Sequence, residues 1–428
     1  MEFKCERYER GIVVAKNDAM IQLEKINELM RSHDIQEMID LARPIFGNPL
    51  ILSNGSYTVI AISNEEGIND RRWDEIVKSK GVPMGAVTNS EINKCYRESL
   101  ETGRPVEDVN ETHVHMLRKV LTNGTNVLGY LDSPLYMGMP EKENVEFFDF
   151  LGNLIAVEMQ KLPEMACQPG SMLDYFVFDL LRGNITDRDL IRERLEYFQW
   201  DLFSKGMVQV ISICGREREI EPDNARLRRL INEFSTMFPS CRTFAYVNQL
   251  KMLCPVSENL EKDKEFIGHI QEILMREDLV AGVSRPMIWA ETIAEFSRQS
   301  EKAAELGRKL RPKQHLHFYD AYAVYYALEL ASEREKLDQF CHSAITLLRD
   351  YDAVHETNLL ESLRVYLTHD RSIGESAAAL YIHRNTMNYR MTRIHEMTGL
   401  DMSDPDIFCH LLFSFYVLDC KRMKDEKM

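Results

Sequence analysis

The stretch that most constrains this chain is 372–399, where two helices of unequal length must follow one another with almost no chain between them. Ser372-Ile-Gly-Glu375 reads as a capping box, in which the serine oxygen accepts from the Glu375 amide while the glutamate reaches back. The short helix it opens carries Ala377, Ala378 and Ala379, three small residues in a row that permit close approach of another helix axis. Tyr381-Ile382-His383 breaks the pattern, and a second helix is predicted from about Arg384 to Met397. Thr398-Gly399 stops it, with glycine suited to the left-handed C-cap position. Upstream, Asn358 is the expected N-cap of a helix with Leu359, Leu360, Leu363, Tyr366 and Leu367 at helical spacing. Downstream, Asp404-Pro405 opens a further helix whose apolar stripe is Phe408, Leu411, Leu412, Phe415 and Leu418. Core packing is the simpler reading of that stripe, and a brace or dimer surface the alternative.

The second helix of the pair has two unlike faces. Met387, Met391 and Ile394 fall on one stripe, which should be buried. The opposite face carries Asn385, Tyr389 and Thr392, flanked by Asn388 and Arg393. From Ile382 to His395 there are three arginines (Arg384, Arg390 and Arg393) and no acid, in a chain whose formal net charge is −16. An acidic protein meets nucleic acid only through a locally basic surface, and this is one. Arginine and asparagine form bidentate hydrogen bonds with guanine and adenine edges, and tyrosine reaches phosphate. A short helix, a tight turn and a helix with an exposed polar N-terminal half fit the major groove of duplex DNA. The candidate DNA-binding set is therefore His383, Arg384, Asn385, Thr386, Asn388, Tyr389, Arg390, Thr392 and Arg393. Within it, Arg390 points partly toward the core flank, so an internal acid competes with phosphate as its partner. His383 reads as a helix cap or a phosphate contact. The plainer alternative for the whole segment is a helical hairpin packed on other protein.

The rest of the chain is multidomain α+β in pattern. With 428 residues, 44% hydrophobic and 28% charged, it has the length and composition of several globular domains. No apolar run reaches the roughly 18 residues of a membrane span, and the N-terminus lacks a signal-peptide core. Nine cysteines without CxxC spacing read as reduced thiols, so the expected location is cytoplasmic. Before Lys161, helices are predicted over 18–31, 35–42 and 143–161, the last with Val145, Phe148, Leu151, Leu154, Ile155 and Met159 on one face. Strands are predicted over 49–52, 57–63 and 126–131, the first two joined by Ser53-Asn54-Gly55-Ser56, whose Asn-Gly pair favours positive φ. Residues 162–170 read as a linker. Beyond it, helices at 173–181, 189–198, 223–237 and 263–276 alternate with strands at 208–214, 243–247, 251–255 and 280–284, and from Ile288 nearly everything reads as helix.

Other features carry less. His113-x-His115 lacks further ligands for a metal, Cys409-His410 diverge on a helix, and Arg226, Arg228 and Arg229 are a solvated face. Phosphate-binding glycine loops, nucleophile elbows and HExxH are absent, and no carboxylate pair is defensible as catalytic. Neither a catalytic residue, a metal site nor a cofactor is therefore expected. Tyr57, Trp73 and Tyr96 could line a pocket, although core packing explains them equally.

The run SIGESAAALYIHRNTMNYRMTRIHEMTGLDMSDP resembles the C-terminal helix-turn-helix of the PucR/CdaR family of bacterial regulators. Ala377, Ala378, Leu380, Ile382, His383, Arg384, Asn385, Thr386, Tyr389, Arg390, Arg393 and Ile394 occupy its motif positions over about 60 residues, and Tyr381 departs from the turn glycine of many such motifs. More loosely, residues 171–330, with Ala281-Gly-Val-Ser284 and His317-Phe-Tyr-Asp320, resemble the family's cyclase-related sheet domain. They lack a Gly-Gly-Asp/Glu-Glu-Phe signature, so the resemblance implies no cyclase activity. Residues 34–161 are similar in pattern to a GAF-type sensor. The resemblance thus implies three parts: a GAF-like α/β sensor (1–162), a degenerate GGDEF-like, ferredoxin-like sheet domain (171–330) and an all-α helix-turn-helix domain (331–428). It also implies a ligand-responsive regulator, an activator of a catabolic operon, that is not an enzyme. Expected partners are double-stranded operator DNA, an unidentified small-molecule effector, a second copy of the chain and RNA polymerase, with no membrane. The rival readings are a nucleotide-processing enzyme relic and a protein-interaction adaptor without DNA binding.

Overall fold

Two antiparallel sheets organise the first of the two units into which this computed structural model divides, residues 1–301 and 302–428. The structure describes residues 24–64, 68, 70–83, 90–110, 113–124, 126–162, 172–216, 224–246 and 249–425. The start of the helix expected over 18–31, most of the expected linker and Val247 lie outside the described residues. No helix among the described residues is long and apolar enough to cross a membrane.

The first sheet has the order β2-β1-β5-β4-β3, built from β1 (Ile51–Asn54), β2 (Val59–Ile62), β3 (Val106–Val109), β4 (His115–Thr122) and β5 (Val127–Pro134). Helix α1 (Ile35–Phe46) begins where Asp34 accepts from the Glu37 amide and buries Met38, Ile39, Ala42 and Phe46. Next come α2 (Arg71–Ser79) and α3 (Ser90–Thr102), and then α4 (Lys142–Met159). As its spacing requires, α4 buries Phe148, Leu151, Ile155 and Met159 in a core shared with Leu52, Leu117, Leu121 and Leu131. The β1–β2 connection differs from its sequence reading. The residue with positive φ is Tyr57 (63°), outside the Asn-Gly pair. The Asn54 side-chain oxygen shapes the turn instead, accepting from the Ser56 and Thr58 amides.

Farther along the same unit, α5 (Met172–Arg182) and α6 (Arg188–Tyr197) precede the succession β6 (Met207–Gly215), α7 (Asn224–Met237), β7 (Arg242–Tyr246), β8 (Gln249–Val256), α8 (Lys264–Arg276) and β9 (Leu279–Val283). This is a β-α-β-β-α-β unit, with strands ordered β9-β6-β8-β7 and each of these neighbouring pairs antiparallel. The centre of its sheet holds a buried lysine. Lys251 Nζ lies 2.5 Å from Glu301 Oε1 and donates to Ser212 and Ser297, and burial pulls its proton affinity down to about 8.

The second unit takes the last turns of α9 (Ile293–Leu310), then β10 (Leu316–Phe318), an exception to the all-helical reading after Ile288. Helices α10 (Ala323–Ala331), α11 (Ser343–His355), α12 (Leu359–Thr368), α13 (Ile373–Ala379), α14 (Arg384–Thr398) and α15 (Pro405–Asp425) complete it. On β10, His317 packs against Gly307, where any side chain would overlap its ring, and its Nδ1 is 2.8 Å from the Tyr322 hydroxyl. Burial pushes the imidazole down to about 4 from 6.5. The folded chain therefore declines a proton that the unfolded chain accepts, so stability falls as pH drops from 6.5 toward 4, by up to about 3 kcal/mol. Thermal melts across that window should show the loss, and His317→Gln should flatten the dependence. An identical pH dependence in the variant counts against the assignment to His317.

Candidate nucleic-acid interface

Helices α12, α13 and α14 form the sequence-expected constellation, and their caps are built differently from the sequence reading. Asn358 stands at the N-cap of α12 but makes no side-chain cap bond. Asp352, from α11, does that work: its two oxygens accept from the Leu359 (2.8 Å) and Leu360 (2.9 Å) amides. Asp352→Ala is accordingly expected to cost about 1–2 kcal/mol in urea unfolding, while Asn358→Ala costs far less. The reverse ranking would contradict this capping scheme. At α13, Ser372 Oγ accepts from the Glu375 amide as expected, whereas the Ser372 amide donates to the His369 carbonyl. The capping box is thus half formed.

The turn between α13 and α14 closes through backbone bonds, with the Tyr381 and Ile382 amides donating to the Ala378 and Ala377 carbonyls. Tyr381 takes a φ of 53°, the left-handed conformation that a glycine would adopt more readily. Its side chain is 97% exposed, packing on nothing that would offset the cost. Sequence reasoning noted only the missing glycine and left this tyrosine out of the candidate set. A bulky aromatic where the turn needs positive φ was the available signal. Of the three alanines, only Ala377 is buried; Ala378 and Ala379 face solvent, so one small residue makes the close approach.

His383 caps α14, its Nδ1 accepting from the Asn385 amide at 3.2 Å. Met387 and Ile394 are completely buried and Met391 half-buried, the last two packing with Leu363, Leu367, Leu411 and Phe415. The helix ends at Gly399 (φ 64°), whose amide donates to the His395 carbonyl. Pro405 opens α15 behind Asp404, whose carboxylate accepts from the Asp406 amide, and the apolar stripe of α15 belongs to this core.

The candidate residues separate into two groups. Arg384, Asn385, Thr386, Asn388, Tyr389 and Thr392 are exposed with His383 on the solvent side of α14. Among the described residues, no side-chain hydrogen bond or ion pair engages Arg384, Asn388, Tyr389 or Thr392. Arg390 and Arg393 are held by the protein. Arg390 Nη1 donates to Ser362 Oγ at 3.0 Å, so its internal partner is a serine and not an acid. Arg393 reaches the Tyr351 hydroxyl (3.5 Å) and Glu396 (3.2 Å), with its guanidinium 5.6 Å from the Tyr351 ring centre. These acceptors strengthen its hold on its proton. What remains of the candidate set is a face with one guanidinium that no other described residue engages, two amides and three hydroxyl-bearing side chains, on a helix fixed from behind by three apolar residues. Such a face can hydrogen-bond base edges and phosphates together.

Residues 359–417 match the family described as the PucR C-terminal helix-turn-helix domain. Over nearly the whole chain the protein is similar to the DNA-binding transcriptional activator AdeR of Bacillus subtilis, at 19% identity covering 86% of this chain and 89% of that one. The carbohydrate diacid regulator of Escherichia coli is also 19% identical, over 77% of this chain and 89% of its own length. The proline-responsive transcriptional activator PutR of Bacillus subtilis is 31% identical, over 24% of this chain and 25% of that protein.

Proposed function

We propose that the chain is a PucR/CdaR-family, DNA-binding transcriptional regulator of a catabolic operon that reads its operator with α14. The observation that carries this reading is the pairing of a fixed helix with an unengaged polar face. Arg384, Asn388, Tyr389 and Thr392 project to solvent while Met387 and Ile394 pin the helix to the body of the unit. Similar proteins along most of the chain are named activators and regulators, which favours gene activation without catalysis, in the cytoplasm.

A three-part organisation accompanies this reading: a GAF-like sensor over 1–162, a GGDEF-like, ferredoxin-like domain over 171–330 and the helix-turn-helix domain over 331–428. The five-stranded antiparallel sheet flanked by α1 and α4 supports the first, and the β-α-β-β-α-β succession the second. A small-molecule effector would act by binding DNA-competent and incompetent states unequally. One recognition helix makes few base contacts, so two copies on successive major grooves, meeting RNA polymerase at the promoter, are the natural arrangement.

Gel retardation with the DNA upstream of its own gene tests the proposal. Retention should survive an excess of unrelated duplex and weaken with salt, with a log–log slope of about −0.9 for each phosphate neutralised. Retention abolished equally by unrelated duplex would reject sequence-directed binding.

A further inference from the structure

The helix-turn-helix unit contains a cavity of about 390 Å³, within the size range of small-molecule sites. It lies between the last turn of α9, α10, α12 and α15, and is separate from the exposed face of α14 in the residues that line it. Four cations reach it, Lys309, Arg311, Arg364 and Arg422, against one lining acid, Asp419. Two of the four are already neutralised. Arg364 grips both Asp419 oxygens (2.9 and 2.7 Å), and Tyr325 donates to the same carboxylate. Lys309 pairs with Glu305 at 2.6 Å. Among the described residues, neither Arg311 nor Arg422 is in an ion pair with a carboxylate, and Arg311 lies over the Tyr322 ring at 5.5 Å. Two guanidinium groups in a chain of net charge −16 are a local concentration of the opposite sign. Apart from Thr368, the remaining wall is apolar or aromatic, from Leu310, Leu412, Phe415, Tyr416 and Met423.

We propose that this cavity is a ligand site for a small organic dianion with an apolar or aromatic body. Arg311 and Arg422 would clasp the anionic group, because planar guanidinium donors match carboxylate and phosphate oxygens bidentately. The aromatic wall would cover the body, and the Arg364–Asp419 pair would keep Asp419 from repelling the charge. The site does not rest on DNA recognition, since its residues are apart from the α14 face.

Calorimetric titration of the full chain with phenyl phosphate, at fixed ionic strength and without DNA, tests it. Saturable binding is expected, tighter than that of inorganic phosphate, which lacks the body, and with none for benzylamine, which reverses the charge. Arg422→Ala and Arg311→Ala should each weaken phenyl phosphate by about tenfold or more, which is about 1.4 kcal/mol. Arg422 is exposed and makes no side-chain hydrogen bond or ion pair among the described residues, so its variant should melt like the parent and keep the comparison interpretable if Arg311→Ala is unstable. Absence of binding by the parent chain, or affinity in both variants equal to that of the parent, overturns the proposal. So does lost duplex retention in Arg422→Ala together with no phenyl phosphate binding by the parent, a result that would give these arginines to the DNA backbone.

Discussion

Replacing Arg384 and Asn388 together by alanine is expected to abolish specific DNA retention while leaving the melting temperature of the chain nearly unchanged. Both side chains are exposed, and neither makes a side-chain hydrogen bond or ion pair among the described residues, so truncation removes nothing that holds the fold. A side chain that pairs with a base edge contributes about 1–3 kcal/mol of discrimination. Even at the low end, two such losses amount to roughly 2 kcal/mol, or about thirty-fold. Arg393→Ala should behave differently, because it also breaks the contact to Tyr351 that ties α14 to α11, together with the pair it makes with Glu396 within α14. Any loss of retention there should be accompanied by a lower melting temperature, and Arg390→Ala, which removes the bond from α14 to Ser362 on α12, should follow the same pattern. Retardation with cognate and unrelated duplex, paired with thermal melts, separates the two classes. Undiminished retention in the Arg384→Ala, Asn388→Ala chain would remove α14 as the reading element.

The contrast between these arginines marks where sequence reasoning reached its limit. Helical periodicity separated the buried Met387 and Ile394 from the exposed Asn385 and Tyr389, because the 100° step per residue is set by backbone geometry. Arg390 and Arg393 sit at the boundary of the two faces, where a long side chain can turn either way. Which way it turns depends on Ser362 and Tyr351, which lie 28 and 42 residues earlier. Asp352 was missed as the α12 cap for the same reason: capping rules look at the adjacent residue, and Asn358 was adjacent. In the first sheet, β4 escaped notice because burial on both faces leaves no alternation to read. Its centre contains Arg118 and Lys119, which look like solvent-facing residues until Asp108 (2.9 Å) and Asp149 (2.5 Å) are brought to them by folding. The Asn54-Gly55 turn failed more subtly. Its asparagine does shape the turn, through its side chain, while the positive φ falls on Tyr57.

That same turn leads to the largest stability effect expected outside the cores. Arg194, on α6, is completely buried, and desolvation pushes its guanidinium down to about 10. Its Nη1 donates to Ser56 and Thr58 in the β1–β2 turn, while Nε and Nη2 have no hydrogen-bond partner among the described residues. The compensating charge is Asp179 on α5, which the turn relays: Asn54 Nδ2 and Ser56 Oγ both donate to its Oδ2 at 2.8 Å. Close approach is possible because residue 55 is glycine, where a side chain would overlap the Tyr175 ring. Removing one member of a buried charge pair leaves the other uncompensated, which costs about 3–5 kcal/mol, whereas replacing both by apolar groups is often neutral. Asp179→Ala should therefore shift the urea midpoint strongly, and adding Arg194→Met should recover most of the loss. The recovery is the discriminating measurement, since two merely structural truncations would add. If the double variant is less stable than Asp179→Ala alone, the two groups do not compensate each other's charge, and the turn is held to α5 and α6 by packing alone.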